Sequence, residues 1–347
     1  MEIKKERLHY IDQLKGIAIF LVVIGHIIQM NSKDFENNVL FSIIYSFHMP
    51  LFMFISGYVA FKSTKANIFQ SYFKFLVKRV RTLLIPFLSW QLLVNPFFFR
   101  DNTISNPIFK FLNLVTHLSA GLWFLWFLFL LTLLYSLFLF ISNKLNRKNT
   151  VLIDVIVLAV TLIPLLLIKH LQFVSYINSL ILYFLFYFLG IFISKFELIK
   201  SLISNSIVFS ISILIFILLC RTYHFGDESG KNLLIKIILS CSSIISLYNI
   251  VKRFKWNPFI DASIRAWGKN SLIIYVTHFS IVSFLSYGYT IPQLEIFPLL
   301  LGTTITAIII ILFCLGIARL VETIPLLDLL LYGRKAETST EQTRAAS

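Results

Sequence analysis

The sequence predicts an all-α polytopic membrane protein with about ten transmembrane helices and both termini in the cytoplasm. Three observations carry that prediction. Of the 347 residues, 58% are hydrophobic and only 14% charged, against roughly half and about 25% in a soluble domain. The mean hydropathy is +0.84, which means more apolar surface than a soluble protein of this size has interior to hide. The third observation is the placement of charge. Lys and Arg sit in short clusters between apolar runs. With a cytoplasmic N-terminus, 24 of the 31 fall on the cytoplasmic side, alternating loop by loop. That distribution accounts for the net charge of +15 without a nucleic-acid partner.

The charged start, Met1–Lys15, leads into the first apolar run, Leu14–Gln29. No small-residue cleavage site closes this run, so it reads as an uncleaved membrane helix. Val39–Phe61 follows after a short loop. The third run, Phe73–Phe99, is overlong and holds Pro86 and Pro96, which predicts a kink or an early end. Further runs of spanning length are Leu122–Ile141, Val151–Ile168, Ile177–Ser194, Leu202–Cys220, Leu233–Val251, Ser271–Tyr287 and Ile296–Arg319. Residues 1–331 read as one transmembrane domain of a plasma-membrane protein in contact with lipid. The polar tail, residues 332–347, has no apolar periodicity and reads as disordered. Cys220, Cys241 and Cys314 lie in or beside apolar runs and make neither a Cys-x-x-Cys pair nor a disulfide framework.

Ionisable side chains at membrane depth are costly, so each marks a candidate site. His26 lies about 18 Å from the cytoplasmic end of helix 1, and His48 about 13 Å into helix 2 from the opposite side. In a hydrocarbon core about 30 Å thick the two imidazoles fall at similar depth. Their helices share a short loop, so both can face one buried pocket; the other reading of each is a polar contact between helices. No carboxylate or cysteine stands at helical spacing from either, so a metal site is not expected. Lys15 precedes His26 by eleven residues, a rotation within about 20° of three full turns, and points the same way from the cytoplasmic mouth. Asp12, one turn below, reads as a partner of Lys15 or an arginine, or as a cap at the helix start. Lys78, Arg79 and Arg81 cluster at the cytoplasmic end of helix 3, either as a topology signal or as forked donors for phosphate oxygens. His278 lies about eight residues from the cytoplasmic end of the Ser271–Tyr287 run, where it lines the pocket lower down or packs in the core. Trp123 and Trp126 read as outer-interface anchors.

Several of these stretches, in order, resemble the membrane acyltransferase 3 family. DQLKGIAIFLVVIGH is similar to its first helix, SFHMPLFMFISGY to its second, KRVRTLLIPF to its third, LWFLWFLFL to its fourth and NSLIIYVTH to its penultimate. The chain has Lys15 where the family commonly has arginine, which keeps the charge but loses the fork. The lysine form followed by FHMPLFMFISG looks most like the fucose 4-O-acetylase-like branch. The resemblance implies transfer of an acetyl or other short acyl group from cytoplasmic acyl-CoA to a hydroxyl of a cell-surface glycan or its lipid-linked precursor. It further implies His26 as general base with His48 beside it, and CoA phosphates on Lys15, Lys78, Arg79 and Arg81. Asp12, His278 and Trp123 are the supporting candidates around the substrate. The rival reading is an exporter of a glycan or lipid-linked sugar. Against it, the sequence shows no duplicated halves and no carboxylate in mid-helix.

Overall fold

The computed structural model describes residues 8–63, 70–94, 122–145, 150–171, 176–285 and 296–334, and every regular element among them is helical. In chain order these are α1 (His9–Asn31), α2 (Val39–Ser63), α3 (Gln70–Arg79), α4 (Ile85–Ser89), α5 (Trp123–Leu145), α6 (Val151–Leu171) and α7 (Ile177–Lys195). They continue as α8 (Glu197–Ile203), α9 (Ser206–Leu219), α10 (Gly230–Arg253), α11 (Pro258–Lys269), α12 (Ser271–Leu285), α13 (Ile296–Glu322) and α14 (Pro325–Tyr332). The end of the third apolar run, with Pro96, the stretch that follows it up to residue 121, and the tail beyond Arg334 lie outside the described residues.

By length and composition, seven helices among the described residues can cross a membrane: α1, α2, α5, α6, α7, α10 and α13. The pair α8 and α9, bent by 58° at Ser204–Asn205, makes an eighth if taken as one broken span. Three of the ten expected runs differ from a full-length helix, and Leu202–Cys220 is the one that falls on this bent pair. Ser271–Tyr287 appears as the 15-residue α12, ending at Leu285. The run from Phe73 is broken into α3, a π-helical turn at Val80–Leu84, α4 and a second π-helical turn at Trp90–Val94. The break has a local cause. Pro86 has no N–H to give the ladder, and π turns insert an extra residue per turn beside it.

The chain divides into two compact units, residues 1–62 with 186–315, and residues 63–185 with 316–347. In the first, α1 packs against α10, α11 and α12. Glycines set the spacing: a Cβ at Gly16 would meet the carbonyl of Ile264, and a Cβ at Gly268 would meet that of Asp12. The backbones of α1 and α11 therefore approach as closely as small residues allow. Polar contacts fix the register: Gln13 donates to Asp261 at 2.6 Å, Asp261 pairs with Arg265 at 2.7 Å, and Phe20 stacks on Trp267 with centroids 5.5 Å apart. A second glycine crossing joins α2 to the C-terminal half of α7, where Gly57 abuts the Tyr187 carbonyl and Gly190 that of Phe54.

In the second unit α5 pairs with α6, and the fully buried Asp154 accepts a hydrogen bond from Ser142 at 2.7 Å. The short α14 docks on α4, with Trp90 Nε1 donating to the Leu331 carbonyl at 2.8 Å. Gly333 ends α14 in the left-handed region (φ 65°) and lies against the Arg81 carbonyl, where no Cβ would fit.

Candidate active site

Three helices of the first unit bring together three histidines. On α1, His26 and Gln29 stand one turn apart, and the His26 Nδ1 lies 2.9 Å from the Gln29 Oε1. Tyr45 of α2 donates its hydroxyl proton to the same Oε1 at 3.0 Å. An amide oxygen only accepts, so the His26 proton sits on Nδ1 and the lone pair on Nε2. His278 of α12 places its ring 5.2 Å from that of His26, tilted by 45°, and Phe279 meets His26 edge-on at 5.5 Å. His48 lies on the other side of Tyr45, ring centroids 4.6 Å apart, while Tyr45 and His26 are 6.4 Å apart.

The same tautomer recurs at all three. The Nδ1 of His48 donates to the Ile44 carbonyl at 2.7 Å, and that of His278 to the Ile274 carbonyl at 2.9 Å. Each imidazole is thus anchored to its own helix through Nδ1 and presents Nε2 as a base. The Nε2 of His278 is buried with no hydrogen-bond partner. A buried acceptor left unpaired costs about 1–3 kcal/mol, so this atom gains by any donor brought beside it. His48 and His278 are almost fully buried, whereas His26 retains partial exposure. His26 is therefore the most exposed of the three imidazoles.

The other expected residues are placed as follows. Lys15 is half-buried on α1 below His26, and Asp12 is buried, its carbonyl in the crossing with Gly268. Lys78, Arg79, Arg81 and Trp123 belong to the second unit. There Lys78 is exposed in the last turn of α3, and the Arg79 guanidinium lies 5.0 Å from the Phe75 ring centroid. Arg81 occupies the π turn, with its Nε buried and lacking a hydrogen-bond partner. Trp123 stacks on Tyr183 at 5.3 Å, and Trp126 donates to the Tyr176 hydroxyl at 2.8 Å. Among the described residues no group of three His, Cys, Asp or Glu side chains is placed to hold a metal ion.

Two members of the group, Gln29 and Tyr45, were not singled out in the sequence. The signal was present: Gln29 follows His26 by three residues and Tyr45 precedes His48 by three, spacings that share a helix face. The helix α11 was also missed, because its polar, amphipathic sequence reads as a loop when only apolar runs are sought.

Residues 8–319 match the acyltransferase domain of the acyltransferase 3 family, nearly the whole described length. The chain belongs to the acyltransferase 3 family. Two curated relatives support that placement. The nodulation protein NolL of Sinorhizobium fredii (strain NBRC 101917 / NGR234) is 42% identical over 87 residues, 24% of this chain and 23% of the relative. The NolL of Mesorhizobium japonicum (strain LMG 29417 / CECT 9101 / MAFF 303099) is 34% identical over 122 residues, 33% of this chain and 31% of the relative. The matched stretches thus cover a third or less of either relative. No solved structure matches the chain.

Proposed function

We propose that this protein is an integral membrane O-acyltransferase that moves an acetyl or other short acyl group from acyl-CoA to a hydroxyl of a cell-surface glycan or its lipid-linked precursor. The observation that carries this reading is the orientation of His26, whose Nδ1–H is held by the Gln29 oxygen, itself braced by the Tyr45 hydroxyl, so that Nε2 is the free base. In the proposed reaction Nε2 removes the proton of the acceptor hydroxyl as its oxygen attacks the thioester carbonyl. The tetrahedral intermediate collapses, the C–S bond breaks, and the imidazolium returns its proton to the departing CoA thiolate. The positive ring formed in between is stabilised by the Gln29 oxygen on its Nδ1 side. His278, with its unpartnered Nε2 beside His26, and His48, behind Tyr45, supply further acceptors for a hydroxyl or for the transient imidazolium proton.

Arg79, Arg81 and Lys78, with Lys15 on α1, are the proposed holders of the CoA phosphates from the cytoplasmic side of the plasma membrane. Guanidinium forks suit phosphate oxygens, and a buried Arg81 Nε awaiting an acceptor fits that role. Asp12 and Trp123 are assigned supporting positions around the substrate.

The test uses membranes from cells expressing the wild-type chain or His26→Ala, incubated with radiolabelled acetyl-CoA. Base-labile label in the glycan or glycolipid fraction that disappears with His26→Ala is the expected result. Equal label in both removes His26 from the chemistry.

A further inference from the structure

We propose that Lys236 and Tyr223 form an anion-binding subsite beside the histidine group, and that the acyl acceptor is a sugar carrying a negative charge roughly one ring away from its reacting hydroxyl. This rests on the acyltransferase reading above.

Lys236 lies six residues inside α10, a membrane-spanning helix, and its ammonium sits 5.7 Å from the centroid of the Tyr223 ring. No carboxylate pairs with it among the described residues. A lysine near a helix end ordinarily snorkels, laying its stem along apolar surface with the ammonium in water. Here the ammonium is directed at a ring that is itself only 5% exposed. Burial pushes the Tyr223 phenol up to about 12, so the ring stays neutral and its face remains available to a cation. An intramembrane cation held this way lacks the anion it would best pair with.

Its register relative to the histidines follows from one hydrogen bond. Ser240 of α10 donates to the carbonyl of Ser46 of α2 at 2.7 Å, with both residues fully buried. The two helices run in the same direction, since the segments that precede them meet: Phe225 contacts Phe35 at 6.2 Å and Phe41 at 5.0 Å. Lys236 is one turn before Ser240 on the same face, and His48 is two residues beyond Ser46. The two therefore stand about 9 Å apart along the helix axes. Aromatic rings occupy the interval. Tyr45 stacks on Phe41 at 3.9 Å, and Phe225 meets Tyr45 edge-on at 5.2 Å. The apolar C–H face of a sugar packs on such rings, with its hydroxyl toward the histidines and its anion toward Lys236.

The segment that carries Tyr223 and Phe225 is built to stay in place. The buried Asn232 donates to the carbonyls of His224 and Asp227, both at 2.7 Å, and accepts from the His224 amide at 3.1 Å. A lysine is a point charge rather than a planar fork, so it suits a glycosyl phosphate and a uronate equally. The shared chemistry is a sugar-borne anion.

The test starts from full-length protein in membranes given radiolabelled acetyl-CoA, with His26→Ala as blank. The His26-dependent label is extracted and passed over an anion exchanger. Retained label is expected, and Lys236→Met lowers it about tenfold while Lys236→Arg keeps most of it. The exposed Lys231→Met, as a charge control, leaves it unchanged. Mild acid then separates the sources: it cleaves a glycosyl phosphate and frees neutral labelled sugar, whereas a uronate stays bound. Label that passes the exchanger unretained before the acid step, or full label with Lys236→Met, overturns the subsite and leaves the acyltransferase reading intact. No His26-dependent label in any fraction overturns the assignment of His26 as the base, and the subsite beside it falls with that assignment.

Discussion

Replacing Gln29 by leucine keeps the bulk of the side chain and removes the single oxygen on which two donors converge, the His26 Nδ1–H at 2.9 Å and the Tyr45 hydroxyl at 3.0 Å. His26 then loses the bond that sets both its rotamer and its tautomer, and Nε2 is no longer held as the base. A bond with that double role is worth about 1.5–3 kcal/mol, so kcat falls about tenfold to a hundredfold. Tyr45→Phe removes one donor and leaves the His26–Gln29 bond, worth about 0.5–1.5 kcal/mol, or about two- to tenfold. Because both residues act through one oxygen, the effects must not multiply: in the Gln29→Leu background Tyr45→Phe costs little more. The assay is the initial rate of His26-dependent label transfer in proteoliposomes at saturating acetyl-CoA, with a thermal melt of each variant as folding control. Two independent factors in the double variant, or an unchanged rate for Gln29→Leu, refute this account of His26.

Three further outcomes follow from the packing and the charges. Gly268→Ala drives a methyl group into the Asp12 carbonyl and forces α1 from α11, lowering stability by about 1–3 kcal/mol, whereas Gly302→Ala, with open space around its Cα, leaves the melt unchanged or slightly raised. Trp90→Phe deletes the bond to the Leu331 carbonyl, so α14 opens at about 1 kcal/mol less cost and trypsin cleaves after Arg334 about fivefold faster. The hydrogen bonds from the Ser229 amide and hydroxyl hold the Asp227 carboxyl below its ordinary range. That contribution to the 220–229 segment is present above pH of about 4 and is lost as pH falls through the folded value. Amide exchange in the segment, corrected for intrinsic rate, therefore accelerates at acid pH in the wild type. In Asp227→Asn it does not depend on this titration.

The helices of this protein were legible because a backbone in lipid satisfies its own hydrogen bonds within the segment, so a long apolar run already specifies the element. The runs beginning at Leu14, Val39 and Leu122 appear as α1, α2 and α5 within a few residues. The third run was legible as irregular from Pro86, but not as two π turns flanking a short helix, since that geometry depends on what packs beside it. The helix α11 escaped notice because it is short and amphipathic, and its place along α1 is set by Gly16, Gly268 and the Gln13–Asp261 bond. The helix α14 is not legible as a span because Pro325–Tyr332 is only eight residues long, between the last apolar run, which ends at Arg319, and the polar tail from residue 332.

The sequence by itself determined that the chain lives in lipid and that His26, His48 and His278 stand as costly groups inside apolar helices. It also determined the likeness to the acyltransferase 3 family, carried by motifs that are local in the chain. The tertiary structure alone decided which of those groups meet. His26 and His278 are 252 residues apart in the chain, yet their rings are 5.2 Å apart, and Tyr45 reaches Gln29 across 16 residues of loop and helix. The reason is physical: helix formation draws on bonds between residues four apart, whereas a site needs side chains from helices whose rotation and depth are set only when glycine crossings and interhelical hydrogen bonds lock the bundle.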